Sequence, residues 1–146
     1  MIKIISVGKI KEKYLVDLIE DYKTRITKYQ KIEIIELKDS NKQKENEEIL
    51  KILNDKEFNI CMDIQGKKLN SVELSSLIDK TFTNGYSTIT FIIGASDGLT
   101  EEVKNKCDFR LSFSDLTFPH GLFRGILLEQ IYRSFKIINN ESYHKW

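Results

Sequence analysis

The chain reads as an α/β protein, a mainly parallel sheet of five to six strands with helices on both faces. Three observations predict it. Apolar runs of strand length alternate with segments of helical periodicity along the whole sequence. The most apolar run, Thr88-Ile-Thr-Phe-Ile-Ile93, suits a central strand covered on both faces. A single proline and short connections leave no linker in the 146 residues, so 1–146 is expected to be one domain.

The elements follow in order. Ile2–Val7 is a short apolar strand. Lys13–Lys28 carries Tyr14, Leu15, Leu18, Ile19, Tyr22 and Ile26 at spacings of three and four, the stripe of an amphipathic helix. Lys31–Leu37 alternates charge with Ile32, Ile34, Ile35 and Leu37 and predicts a strand with one face partly open. Asp39–Glu48 is polar and charged throughout and predicts a mobile loop leading into a helix that ends near Leu53. Phe58–Ile64 is the next strand, closed by a turn at Gln65-Gly66. Asn70, with Glu73 three residues on, has the pattern of a capped helix start, and Asn84-Gly85 ends that helix after about Phe82. Thr100 caps a short helix to about Cys107, and Arg110–Phe113 is the last strand. The final helix runs from about Gly121 to Ile138 and buries Leu122, Phe123, Ile126, Leu127, Ile131 and Phe135.

Composition narrows the function. A formal net charge of +1 argues against holding nucleic acid by bulk electrostatics alone. The basic residues Lys9, Lys11, Lys13, Lys23, Arg25, Lys28 and Lys31 read as a solvated helix face. Cys61 and Cys107 have no CxxC partner and no neighbouring histidine, so they read as packing residues, and no metal site is expected. No apolar run approaches the ~20 residues of a membrane span, and lysines interrupt the N-terminus too early for a signal peptide. A cytoplasmic protein with no membrane partner is expected.

Two loops follow neighbouring strands, where a ligand crevice forms in an open α/β sheet. One is Gly94-Ala-Ser-Asp-Gly98; the other is Ser114–Pro119 within Leu111-Ser-Phe-Ser-Asp-Leu-Thr-Phe-Pro-His120. Neither GxxxxGK[ST] nor GxGxxG occurs, so a phosphate-bearing nucleotide lacks its usual cradle. Small residues with a mixed apolar and hydroxyl lining suit a nucleoside without phosphate, such as S-adenosylmethionine. By spacing alone, Gly94 and Gly98 fit a plain turn equally well, and Pro119 fits a helix start. His120, at that start, reads as a cap or a packed side chain. Glu129 and Arg133 stand i, i+4 in the favourable order, whereas Arg124 has only Leu128 four residues on. Tyr143 and His144 lie in an aromatic tail with no evident core role.

As an ordered set these residues resemble the bacterial SPOUT-class methyltransferases that modify N3 of a pseudouridine in 23S rRNA, the ribosomal large subunit methyltransferase H family. The resemblance is carried by Ile4-Ile-Ser-Val-Gly-Lys9, Asp63-Ile-Gln-Gly-Lys67, the Ile93-Gly94…Gly98-Leu99 loop, Leu111 to His120, Arg124…Leu128-Glu129-Gln-Ile-Tyr132-Arg133 and Tyr143-His144-Lys145. It implies a C-terminal trefoil knot, S-adenosylmethionine bound within the knot, and a homodimer whose active sites use both subunits. Carried over by position, Met62, Gly94, Ala95, Ser114, Asp115, Leu116, Thr117, Phe118 and Pro119 contact the cofactor. Arg124, Glu129, Arg133, Tyr143 and His144 face the substrate, which in the family is helix 69 of 23S rRNA in the assembled 70S ribosome. His144 is the first choice of general base and Glu129 the second, Arg124 or Arg133 stabilises developing oxyanions, and Tyr143 stacks on or hydrogen-bonds to the base.

Three residues depart from the family pattern. Ala95 stands where a second glycine is usual, Gly121 replaces a larger residue and is expected to loosen the last helix, and Trp146 extends the tail. Tyr132, Phe135, Tyr143 and Trp146 form an aromatic set expected to be exposed and available to an interface. The alternatives are a SPOUT enzyme acting on tRNA or a ribose hydroxyl, and a non-catalytic α/β ligand-binding module.

Overall fold

The structure is a computed structural model and describes residues 1–145; Trp146, and with it the expectation placed on that residue, lies outside the described residues. Five strands and five helices alternate: β1 (Ile2–Val7), α1 (Lys13–Ile26), β2 (Ile32–Leu37), α2 (Lys42–Ile52), β3 (Phe58–Lys68), α3 (Ser71–Thr83), β4 (Ile89–Ile93), α4 (Glu101–Lys106), β5 (Phe109–Ser112) and α5 (His120–Ile138). The strands form one sheet in the order β2-β1-β4-β3-β5, and every pair is parallel.

Each strand sends alternate side chains to opposite faces. Ile4, Phe91 and Ile60 enter a core with Ile26 of α1, Leu74 and Ile78 of α3, and Leu127, Leu128 and Ile131 of α5. Their neighbours Ile5, Ile92 and Cys61 enter a smaller core on the other face with Ile49 of α2 and Val103 of α4. β4 is buried at every residue, as expected of a central strand. The expected capping box opens α3: Asn70 Oδ1 accepts from Glu73 N at 2.8 Å, and Asn70 N donates to Glu73 Oε1 at 2.9 Å.

Two boundaries differ from expectation, both for reasons of tertiary contact. The segment expected to be a mobile loop is helical from Lys42. Asn41 caps it, accepting from Lys44 N at 2.9 Å. Glu45 is buried and accepts from Ser40 N at 2.8 Å, and Asn46 accepts from Thr100 N at 2.9 Å across to the start of α4. Polarity here serves caps and an interhelix bond, which composition does not reveal. The strand expected to close at Gln65-Gly66 instead continues to Lys68. Both Met62 and Lys67 register with Leu111, so residues 63–66 bulge out of the ladder. A Cβ on Gly66 would lie 2.6 Å from the Arg110 carbonyl oxygen, so only glycine lets β3 rejoin β5.

Gly121 also marks a close approach between two helices. A Cβ there would meet Leu15 Cδ1 at 2.8 Å, and one on Gly125 would meet Leu18 Cδ2 at 2.6 Å, so α1 lies directly on α5. Gly125→Val is expected to cost about 1–3 kcal/mol through overpacking, read as a lowered thermal midpoint. An unchanged or raised midpoint would show that α1 yields at no cost.

Candidate active site

At the C-terminal edge of the sheet, the β3 bulge, the β4–α4 loop, the β5–α5 loop and the first turn of α5 enclose a cavity of about 310 Å³. Met62, Ile93, Leu111, Phe113, Phe118 and Phe123 form apolar walls, and Ser96, Ser112, Ser114 and Thr117 place hydroxyl-bearing residues among them. Phe123 holds the wall together, with ring centroids 5.3 Å from Phe113 and 6.0 Å from Phe118. Leu116, 71% exposed, stands at the rim.

Gly94 is where the two loop ends meet, since a Cβ would sit 2.8 Å from the Gly98 carbonyl carbon. Gly98 has φ of +80° and donates its N–H to the Ala95 carbonyl at 2.8 Å, closing a tight turn. Ala95 does not share the positive φ, so its methyl is accommodated and packs toward the smaller core while lining the cavity.

Of the residues expected to hold a cofactor, Met62, Gly94, Ala95, Ser114, Leu116, Thr117 and Phe118 line this cavity. Asp115 and Pro119 do not. The Asp115 carboxylate turns outward to pair with Lys68, and Pro119 serves as N-cap of α5, its carbonyl accepting from Phe123 N at 2.9 Å. Sequence reasoning missed Asp63, Phe113, Phe123 and His120, which also line it. A carboxylate at the end of an apolar strand was the available signal for Asp63. Its side chain is buried, 3.4 Å from Lys104 Nζ, and accepts from Gln65 N at 3.0 Å.

A second cluster lies further along α5. The Glu129 carboxylate accepts from Arg133 Nη2 at 2.7 Å and Nε at 3.3 Å, from the Tyr143 hydroxyl at 2.7 Å and from Gln130 Nε2 at 3.2 Å. Arg133 also donates from Nη1 to His144 Nδ1 at 3.0 Å and stacks 4.8 Å over the Tyr143 ring. Burial, with the Glu129 contact, pushes the Tyr143 phenol above its ordinary pKa, so it stays a donor; the bond to Glu129 likewise raises Arg133. The tail reaches this place by a turn at Asn140, whose φ is +55°, and by Glu141, which accepts from Tyr29 at 2.7 Å. Four of the five residues expected to face the substrate therefore meet.

Arg124 is the exception. It is 5% exposed and engages Glu36 from Nη1 at 3.0 Å, with Nη2 turned to the Val7 carbonyl and to His120. Within the chain it points inward rather than to the other four, and β2, distant in sequence, supplies its partner. The expected exposed aromatic set is corrected. Tyr132 is 8% exposed because Tyr22 and Tyr143 cover it, and Phe135, 5% exposed against Tyr29, keeps its place in the buried stripe of α5.

Comparison with known proteins decides the family. The model described as "Predicted SPOUT methyltransferase" matches residues 1–144. The chain belongs to the SPOUT methyltransferase family. Within it, the chain is 48% identical to a ribosomal RNA large subunit methyltransferase H of Clostridium botulinum (strain Kyoto), over 99% of each chain. It is 46% identical to the one of Acetivibrio thermocellus, again over 99% of each. Its fold is similar to that of the TrmH/SpoU tRNA modifying enzyme of A. aeolicus, with a TM-score of 0.52 at 12% identity, covering 94% of this chain and 77% of that one. A "probable methylase family protein" of Haemophilus influenzae gives a TM-score of 0.58 at 11% identity, covering 99% and 70%.

SPOUT methyltransferases use S-adenosylmethionine, and the cavity fits it. Aromatic and aliphatic walls suit an adenine, hydroxyls suit a ribose, and among the described residues no lysine or arginine lines the space to bind a phosphate or repel a sulfonium. Asp63 places a carboxylate among the described lining residues.

Proposed function

We propose that this SPOUT methyltransferase methylates N3 of a pseudouridine in helix 69 of 23S rRNA, acting in the cytoplasm on the assembled 70S ribosome as a homodimer with a trefoil-knotted C-terminal half. The observation that supports it best is the Glu129–Arg133–Tyr143–His144 network, four titratable or aromatic groups held together outside the lining of the cofactor cavity. It starts nine residues beyond His120 on α5, and Arg133 lies thirteen beyond, about 14–20 Å along the helix axis. A second copy of the chain is the means of bringing such a cluster to the cavity. The near-neutral net charge of +1 suits recognition by shape and by contacts to a single-stranded loop.

When bound, S-adenosylmethionine supplies a methyl group already activated by its sulfonium. What remains for the protein is to align the nucleobase and remove its imide proton. His144 takes the N3 proton, and Arg133 turns from His144 Nδ1 toward the carbonyl oxygen on which negative charge develops, freeing that nitrogen as it does so. Glu129 is saturated by four hydrogen bonds and acts by holding Arg133 and Tyr143. Tyr143 packs against or hydrogen-bonds to the base.

Methyl-tritiated S-adenosylmethionine offered with unmodified 70S ribosomes, free rRNA and bulk tRNA tests the reading. The expected result is label confined to ribosomes and recovered as 3-methylpseudouridine. Label in tRNA or on ribose would transfer the function to another SPOUT specificity. Cofactor binding with no label in any RNA would favour a non-catalytic module.

A further inference from the structure

His120 begins α5, lines the cofactor cavity and is tied at its back to a buried cation. Its Nε2 lies 3.0 Å from Arg124 Nη2 and 3.2 Å from the Val7 carbonyl oxygen. A guanidinium has only N–H groups to offer, so Nε2 must present its lone pair. The Val7 oxygen already accepts from the same Nη2, and the shorter contact, to a guanidinium that can only donate, decides how Nε2 is used. The imidazole is therefore neutral with its one proton on Nδ1. Burial first, and then the charge of Arg124, outweigh the Val7 carbonyl and the carboxylates of Asp39 and Glu45 and hold His120 below the ordinary histidine pKa, which agrees with a neutral ring.

Arg124 cannot drift from this position. Nη1 is held by Glu36 at the end of β2, Nη2 by the backbone of β1, and the side chain is almost wholly buried. The Nδ1–H of His120, in contrast, has no protein acceptor among the described residues, while the ring borders the cavity. Around it the cavity has hydroxyls but, among the described residues, no lysine or arginine. No side chain caps the first turn of α5, so its backbone N–H groups add a positive partial charge at the same end. This is the end of the cavity suited to an anion, and S-adenosylmethionine carries one anionic group.

We propose that His120 binds the cofactor's carboxylate through Nδ1–H, and that Arg124 is a positioning residue that sets this tautomer from behind. The proposal rests on the family's use of S-adenosylmethionine. It assigns Arg124 a task in cofactor recognition rather than in contact with RNA.

The test uses the full-length protein and two ligands that differ only by the carboxylate, S-adenosylmethionine and its decarboxylated analogue, with affinities measured calorimetrically. His120→Gln retains a side-chain acceptor for Arg124 but loses the forward N–H; His120→Asn places an amide N–H where Nδ1–H stood. His120→Gln is expected to weaken S-adenosylmethionine about 10-fold or more, the scale of one hydrogen bond to a charged group, and to leave the analogue unchanged. His120→Asn should recover most of the loss. Nitrogen-15 NMR of the imidazole should show the neutral Nδ1–H tautomer in the wild type. In Arg124→Met the tautomer should shift, together with a selective loss of S-adenosylmethionine affinity. Should Arg124→Met fail to fold, the His120 pair and the wild-type spectrum decide alone. Equal losses for both ligands, or a wild-type ring protonated at Nε2, would overturn the proposal. Failure of the wild type to bind either ligand would overturn the cofactor reading with it.

Discussion

Two inactive variants mixed together should regain about a quarter of wild-type methyl transfer, if each site combines one chain's cavity with the other's tail. The first variant is Gly94→Val, whose added side chain begins 2.8 Å from the Gly98 carbonyl carbon and closes the cradle. The second is His144→Ala, which leaves the cavity intact. After subunit exchange half the dimers are mixed, and one of the two sites in each mixed dimer has a sound cavity and a sound tail. Label transfer to ribosomes reads the outcome, with native mass spectrometry to verify exchange. If cavity and tail acted within one chain, every site would retain a defect and no rescue would be seen.

Alone, His144→Ala should lower the single-turnover rate by about 10²- to 10⁴-fold, the usual contribution of a positioned general base. That corresponds to about 3–5 kcal/mol of transition-state stabilisation. Cofactor affinity should not move, because the tail lies apart from the cavity lining within the chain. Removing Tyr143–Trp146 should abolish transfer while the fold and cofactor binding survive. A full rate in His144→Ala would eliminate His144 as the base. Glu129 would then have to shed the Arg133 and Tyr143 hydrogen bonds before it accepted a proton. A truncated chain that lost cofactor affinity would show the tail to be structural.

Most of the fold was legible because its signals are local. The stripe Leu15, Leu18, Ile19, Tyr22 and Ile26 specifies one helical face, and the Asn70/Glu73 box closes within four residues. The cavity was legible in large part for a similar reason: loops that follow parallel strands at one sheet edge face a common crevice. What escaped was set by distant partners. Lys42–Glu48 looks disordered in composition, yet it is a helix because Asn46 bonds Thr100 across the fold. Tyr132, off the apolar stripe that already held Phe135, was expected to be exposed because periodicity does not count the layers packed against a helix, and α1 with the returning tail supplies one.

By itself, then, the sequence determined the alternation of elements, the glycine-bounded loops, the absence of phosphate-binding motifs and the Glu129–Arg133 pair, each a matter of spacing within a few residues. The tertiary structure alone decided the directions of Arg124 and His120. Glu36 stands 88 positions from Arg124, and the Val7 carbonyl lies 117 away. A charged side chain without a neighbour in sequence reads as a group awaiting substrate. Its burial against a carboxylate and a carbonyl from other elements and an imidazole one turn back on α5 turns it into internal support. Burying a guanidinium costs least where its donors are met, and here both terminal nitrogens are, while Nε is left without a partner among the described residues.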